Sequence, residues 1–192
     1  MTERKSALRA LRGLGRRFRR DVKGIAAVET ALLMPTLLLL MIAAADITKV
    51  FSANRKVTLA ANTVGDLVSQ TPGGEITEGA LDGLYNAVLP ILAPFGDSKF
   101  GVAIHVFRRD PATGNAETRW QYSQGNITCN PPADIKSKVK PLVAAGNDVI
   151  FAIGCIRVPA MTSSFFNRPT MLLKDQVFLR PRETETIVCK DC

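Results

Sequence analysis

The spacing of apolar residues changes along the chain, and each spacing predicts a different kind of element. The first pattern is an apolar run over residues 25–45, in which only Glu29, Thr30 and Thr36 are polar. A helix of these 21 residues is roughly 32 Å long, close to the ~30 Å hydrocarbon thickness of a bilayer. The run therefore predicts a membrane-spanning helix, which Pro35 can bend.

Beyond the run, apolar residues recur at helical spacing as far as about residue 70. They are Ile47, Val50, Phe51, Val57, Ala60, Ala61, Val64 and Val68. The sequence Thr-Pro-Gly-Gly at residues 71–74 then ends the pattern. We therefore expect one helix from residue 25 to about residue 70, whose second half packs on the rest of the chain. Two helices joined by a hinge near Asp46 are the alternative.

The remaining chain predicts a second helix followed mainly by strands. Residues 75–90 are amphipathic, with Thr77 as a helix cap and Pro90 at the end. Alternating residues then predict a strand at 100–107, and residues 110–115 predict a hairpin turn. Further elements are expected in this order: a return strand at 117–123, a short helix at 134–145, a central strand at 147–158, and closing strands at 176–179 and 185–188.

These elements predict an α+β fold, in which a long N-terminal membrane-spanning helix continues into a stalk and carries a small antiparallel-sheet head. The antiparallel arrangement follows from the hairpin-length link at residues 110–115. The expected domains are a basic leader at 1–24, a transmembrane helix at 25–45, a helical stalk at 46–71 and an extracytoplasmic head at 72–192.

Positive charge is concentrated at the N-terminus. The chain carries a net charge of +8, and residues 1–24 account for +7 of it. A basic segment directly before an apolar run orients a membrane helix with its N-terminus in the cytoplasm. We expect no nucleic-acid binding, because no stripe of basic and aromatic residues follows. A cleaved secretory signal that ends at Ala43-Ala44-Ala45 is the alternative interpretation of the same segment.

Glu29 is a charged residue near the start of the predicted span. A charge in the hydrocarbon costs about 2.5–3.5 kcal/mol on insertion scales, so such a residue is a candidate functional site. If the bond between Gly24 and Ile25 is cut, the new α-amino group of Ile25 is a cation. In a staggered bundle of such helices, Glu29 of one subunit can pair with that amine of a neighbour. Solvation of Glu29 in the headgroup layer is the simpler alternative.

The residues around this acid resemble a known family. The sequence GIAAVE at residues 24–29, followed by ALLMP at 31–35 and a Leu-rich run, resembles the prepilin-type start of TadE-like proteins. These are minor pilins or pseudopilins of the tight-adherence (Flp-type) pilus. The resemblance implies a pilin-like fold and cleavage between Gly24 and Ile25 by a prepilin peptidase. It also implies that Glu29 is the acidic residue that the processing and assembly machinery recognises.

Four cysteines follow the span, namely Cys129, Cys155, Cys189 and Cys192. An even number in an oxidising compartment predicts disulfides. Three pairings are possible, and we favour Cys129–Cys155 with Cys189–Cys192. The last two have the spacing of a redox motif, but they follow a strand rather than begin a helix, so a structural disulfide is expected. A zinc site is not expected, because the cysteines do not form two C-x-x-C units.

No pattern in the sequence predicts catalysis. His105 is the only histidine, and its place in an alternating strand favours a packing or surface role. No serine lies in a G-x-S-x-G turn, and the sequence has no phosphate-binding loop. We therefore expect that the protein is not an enzyme and that it binds no cofactor or metal.

The resemblance implies a minor pilin or pseudopilin that takes part in pilus assembly. It would cross the inner membrane once, with its head in the periplasm or in an extracellular pilus. The expected partners are prepilin peptidase, other pilin or pseudopilin subunits, the assembly machinery and membrane lipid. Two other functions stay open: an uncleaved single-pass protein whose head binds or tethers a periplasmic partner, and a secreted protein cleaved near Asp46.

Overall fold

The computed structural model of the chain describes residues 23–95, 99–144, 146–159 and 170–192. Most of the predicted leader, residues 1–22, lies outside the described residues. The described residues form helices α1 (Lys23–Ser69), α2 (Glu78–Val88) and α3 (Ile135–Val139) and strands β1 (Glu75–Ile76), β2 (Phe100–Arg109), β3 (Ala116–Gly125), β4 (Asp148–Val158), β5 (Met171–Leu179) and β6 (Val188–Cys189).

Helix α1 is a single helix of 47 residues, so the alternative of two helices separated near Asp46 is wrong. The chain divides between Ala45 and Asp46 into two compact units. In the first unit, the apolar side chains of α1 are exposed. In the second unit, the rest of α1 contributes to the core, as expected for the half of the helix that packs on the rest of the chain.

The main sheet of the second unit is antiparallel, as predicted. Among the described residues it has four strands in the order β3-β2-β4-β5. Strand β4 is central, which confirms the prediction from its nearly continuous apolar sequence. Together with α1, this sheet confirms the predicted α+β fold with a small head.

Two predicted boundaries near the second helix and the C-terminus are wrong. Glu75 and Ile76 form strand β1 rather than the start of a helix, because Thr77 is the N-cap and its side chain accepts a hydrogen bond from the backbone N–H of Ala80. The strand predicted at residues 185–188 does not close the main sheet. Instead, β6 pairs in parallel with β1 in a separate two-stranded sheet.

The main sheet is covered on both faces, which explains why β2 and β4 show little alternation in burial. On one face, α1 and α2 pack against the sheet, and the buried apolar residues of α1 are Ala53, Val57, Ala60, Ala61, Val64 and Val68. On the other face, α3 and the segments before and after it cover the sheet with Ile127, Cys129, Ile135, Val139 and Val143.

Polar contacts also tie α1 to the rest of the second unit. The hydroxyl of Thr58 donates to the carboxylate of Asp175 on β5, and Arg182 pairs with Asp66. The ammonium of Lys56 donates to the backbone carbonyls of Ile91 and Ala93, at the end of the 3-10 turn Leu89–Leu92 that follows α2. These contacts link α1 to segments far apart in the sequence.

Gly101 in β2 allows the segment after β3 to lie directly on the sheet. A Cβ atom at this position would stand 1.9 Å from the backbone oxygen of Ile127. It would also be 3.4 Å from the Sγ atom of Cys129. The absence of a side chain at Gly101 is therefore a condition for the packing of the second face.

Asp148 is a fully buried carboxylate at the start of β4. It accepts hydrogen bonds from Nε and Nη2 of Arg108 at 2.6 and 2.9 Å and from the backbone N–H of Ile187 at 2.9 Å. The hydrogen bond from Arg108 to Asp148 raises the pKa of the guanidinium. The carboxylate thus joins β2, β4 and the C-terminal segment at one point.

We expect Gly101→Ala to lower the free energy of unfolding by about 1–3 kcal/mol or more, because a backbone atom occupies the space that the methyl group needs. Gly83→Ala is the matched control. Gly83 is exposed within α2, a Cβ there meets no atom within 4 Å, and the substitution should stabilise the protein by about 0.5–1 kcal/mol. Urea unfolding of the detergent-solubilised chain measures both changes, and equal effects would contradict the packing described at Gly101.

Asp148→Ala should lower the free energy of unfolding by about 3–5 kcal/mol, because it leaves Arg108 and the Ile187 N–H without their acceptor. Asp134→Ala removes an exposed carboxylate that pairs with Lys138 at 3.0 Å and should cost about 0.5 kcal/mol or less. Both values come from the same urea titration. A small effect at Asp148 would show that the buried pair is not needed for stability.

The partial burial of His105 predicts that the stability of the folded protein depends on pH. The imidazole is half-buried, with ring centroids 6.2 Å from Phe107 and 6.0 Å from Phe151, and this burial lowers its pKa from the ordinary value of 6.5. As the pH falls below about 6.5, the unfolded chain binds the proton first, so the protein loses stability until the pH passes the lowered pKa of the folded state.

We expect His105→Gln to remove this contribution. Urea unfolding at pH 7.5 and at pH 5 compares the two proteins, and the variant should lose less stability between these pH values. The diagnostic quantity is the difference between the two pH values, since the substitution also changes packing at both. An identical pH dependence in the two proteins would assign the acid sensitivity to other groups.

Candidate functional site

The predicted cleavage position, between Gly24 and Ile25, lies within the described part of α1. Both residues are exposed. A Cβ at Gly24 would meet no atom within 4 Å, and glycine weakens a helix relative to alanine by roughly 0.5–1 kcal/mol.

Glu29 lies five residues after Gly24 on the same helix, about 7.5 Å further along its axis. The residue is exposed, and no ion pair involving Glu29 is found in the described part of the chain. The next residue, Thr30, donates its hydroxyl to the backbone carbonyl of Ala26 at 2.8 Å. The Thr30 hydroxyl is therefore satisfied within its own helix, whereas the Glu29 carboxylate is available to another molecule.

The surface around Glu29 is apolar. The exposed large side chains of this part of α1 are Ile25, Val28, Leu32, Leu33, Met34, Leu37, Leu38, Leu39, Leu40 and Met41. By length and composition, Gly24–Ser69 contains a segment able to cross a membrane, and none of that segment's most apolar stretch is buried. A soluble core helix would bury one face, so this exposure favours lipid or other helices as the surroundings.

The outer face of α1 in the second unit carries a groove that the sequence did not predict. Its volume is about 840 Å³, and its lining includes Phe51, Arg55, Leu59, Asn62 and Ile91. Phe51 is 67% exposed and Leu59 is 54% exposed. The expectation that Phe51 packs on the head is wrong. Val57 lies at the centre of the buried face of α1, and Phe51 lies about 120° around the helix from Val57.

The other residues singled out in the sequence lie in the second unit. The structure pairs Cys129 with Cys155 and Cys189 with Cys192, the pairing favoured from the sequence. His105 packs between aromatic rings, as described above. Among the described residues, no group of three or more His, Cys, Asp or Glu side chains is arranged to hold a metal ion.

Comparison with known proteins gives a single result. Residues 24–66 match the sequence model of the family described as TadE-like protein. No curated protein and no solved structure matches the chain. The matched segment lies within α1, so the similarity to the family rests on this helix and not on the sheet. Residues 24–66 are thus similar to TadE-like proteins, which confirms the resemblance seen in the sequence.

Proposed function

We propose that the protein is a minor pilin or pseudopilin that takes part in assembly of a tight-adherence (Flp-type) pilus. In this proposal, a prepilin peptidase cuts the bond between Gly24 and Ile25, and the remaining apolar part of α1 holds the protein in the inner membrane until assembly. The observation that carries the proposal is the position of Gly24, Ile25 and Glu29 in an exposed apolar helix that matches the TadE-like family.

Cleavage within a helix requires the peptide bond to become accessible to the protease. Gly24 lowers the free-energy cost of unwinding the helix at this bond, since glycine gains more conformational freedom on unwinding than other residues. Gly24 and Ile25 are both exposed, so no other part of the described chain blocks access to the bond.

After cleavage, Ile25 would carry an α-ammonium group at the N-terminus of α1. The helix dipole places partial positive charge at the same end, so the ammonium is electrostatically unfavourable there. A carboxylate from a neighbouring subunit compensates both charges. Glu29 can supply it, because it is exposed and lies only about four residues, or roughly 6 Å, along the axis from Ile25.

This pairing would also fix how neighbouring helices are aligned. Apolar side chains along α1 pack at many alignments, because one Leu-rich turn resembles the next. A buried ion pair is satisfied at only one of them, as a single polar residue is in a coiled coil. Glu29 therefore sets the axial position of one subunit against the next in this proposal.

The groove on the outer face of α1 supports contacts with other subunits in the part of the helix beyond the membrane. The large apolar side chains of Phe51 and Leu59 are exposed to solvent in the isolated chain. Burial in an interface would remove this apolar surface from water. Arg55 lies between them and gives the groove a positive charge. A neighbouring pilus subunit is the occupant that the family relationship favours.

The proposed orientation places the N-terminus in the cytoplasm and the head in the periplasm. The net charge of +7 in residues 1–24 supports this orientation. The two disulfides of the head support it independently, because disulfides persist in oxidising compartments outside the cytoplasm. The uncleaved tether and the secreted protein remain the alternatives, and they differ from the pilin in the N-terminus of the mature chain.

The proposal predicts that the protein purified from its native envelope begins at Ile25. Intact-mass measurement and N-terminal sequencing give the start directly, and both disulfides contribute to the expected mass. A chain that begins at Met1 or Thr2 would support the uncleaved tether. A chain that begins near Asp46 would support secretion, and either result would overturn the pilin assignment.

A companion experiment tests Glu29. We expect Glu29→Gln to insert in the membrane normally but to lower pilus assembly by roughly tenfold or more, because it keeps the shape of the side chain and removes its charge. The matched control is Glu75→Gln in the head, where an exposed Glu75–Lys190 ion pair is lost and assembly should stay normal. Unchanged assembly in Glu29→Gln would remove the proposed role of this acid.

A further inference from the structure

The two disulfides occupy opposite environments in the second unit. Cys129 and Cys155 are 2% and 0% exposed and lie in the core beneath α3. Cys189 is half-buried, whereas Cys192 is exposed. The first disulfide joins residues 26 positions apart, and the second joins residues 3 positions apart. The two bonds therefore differ in access to solvent and in how much of the chain they restrain.

We propose that the Cys189–Cys192 disulfide is a surface site of thiol–disulfide exchange, at which a dithiol attacks the Sγ atom of Cys192. Exchange requires a thiolate to reach one of the two sulfur atoms, so exposure decides which disulfide reacts. The buried Cys129–Cys155 disulfide is closed to such an attack while the protein is folded. This proposal does not depend on the role in pilus assembly.

The backbone around Cys189 determines which sulfur is attacked. Cys189 pairs with Ile76 in the β1–β6 ladder, and the N–H of Lys190 donates to the carbonyl of Ile76 at 3.0 Å. The Cys189 side chain packs against the core. Cys189 is thus shielded on the protein side, and Cys192 is the more exposed residue of the pair, so we take its sulfur as the point of attack.

This arrangement makes the motif an acceptor rather than a catalyst of exchange. In disulfide oxidoreductases, the first cysteine of the C-x-x-C motif is the reactive one, and a helix N-terminus lowers its pKa. Here the first cysteine, Cys189, ends a strand and is the less exposed of the two. The reactive partner must therefore supply the attacking thiolate.

The reaction balances with a dithiol as the reductant. One thiolate of the dithiol attacks the Sγ of Cys192, the Cys189–Cys192 bond breaks, and Cys189 leaves as a thiolate that takes up a proton. The second thiolate of the dithiol then attacks the dithiol-derived sulfur of the mixed disulfide. This closes the dithiol's disulfide and releases Cys192 as a thiolate, which is protonated in turn. The two cysteines are reduced to thiols, and the dithiol is oxidised to a disulfide.

The C-terminal segment keeps non-covalent contacts that survive this reduction. Ile187 is buried, its N–H donates to Asp148, and its carbonyl accepts a hydrogen bond from Nε1 of Trp120 at 2.9 Å. Lys190 pairs with Glu75 across the β1–β6 ladder. Because the Cys189–Cys192 ring is small, it restrains the unfolded chain less than the ring closed by Cys129–Cys155. The head is therefore expected to stay folded when the surface disulfide opens.

The test treats the detergent-solubilised full chain with dithiothreitol under native conditions. Iodoacetamide stops the reaction at intervals, and peptide mass spectrometry measures alkylation of each cysteine. We expect Cys189 and Cys192 to be labelled roughly tenfold faster than Cys129 and Cys155, or faster still. Equal rates for the two pairs, or faster labelling of the buried pair, would overturn the proposal.

A second measurement tests the direction of attack. Cys189→Ser leaves the thiol of Cys192, and Cys192→Ser leaves the thiol of Cys189, so each variant carries one free thiol in the motif. We expect Cys192 to react with an aromatic disulfide reagent roughly tenfold faster than Cys189, following their exposure. Equal reactivity, or a faster Cys189, would show that Cys192 is not the accessible sulfur.

Discussion

The head depends on the burial of one face of α1 against the four-stranded sheet of the described residues. The buried apolar residues on this face are small or β-branched, namely Val57, Val64 and Val68 together with Ala53, Ala60 and Ala61. Gly65 brings the helix close to the sheet, because a Cβ there would stand 2.7 Å from Cδ1 of Leu179 and 3.3 Å from Cβ of Ala152. The short side chains of α1 thus let a long helix lie close to β4 and β5.

This constraint gives one helix two different tasks. Its N-terminal part exposes a Leu-rich surface, which favours lipid or other helices as its surroundings. Residues 53–68 instead bury alanine and valine inside the protein's own core. The change in composition along the helix, from Leu-rich to Ala- and Val-rich, matches this change in surroundings. The match to the TadE-like family covers most of both parts, so the family model describes the helix rather than the sheet.

The sequence predicted the elements whose pattern is long and regular. Helix α1 and the central strand β4 were both recognised from apolar runs, and the hairpin of β2 and β3 from its turn. The sequence failed where the outcome depends on distant residues. Strand β1 has only two residues, and it forms because β6, more than a hundred residues later, pairs with it. Local propensity carries no information about such a contact.

The candidate site also combines features that the local sequence predicts with features that only the fold determines. Gly24, Ile25 and Glu29 could be selected from the sequence, because cleavage motifs and charges in apolar runs are local features. The groove on the outer face of α1 could not be anticipated in the same way, because helical spacing alone does not say which apolar residues the sheet will cover. Phe51 belongs to the apolar pattern and yet lies outside the face of α1 that packs against the sheet. Likewise, the buried pairing of Asp148 with Arg108 joins two strands whose neighbourhood only the fold defines.

The packing of α1 within the second unit has a mechanical consequence. A pulling force applied at Asp46 along the helix axis would act in shear on all the buried side chains from Ala53 to Val68 at once, together with the Thr58–Asp175 and Asp66–Arg182 contacts. Contacts loaded in parallel share the force, whereas contacts that open one after another bear it in turn. The second unit is therefore suited to resist a load applied along this part of α1.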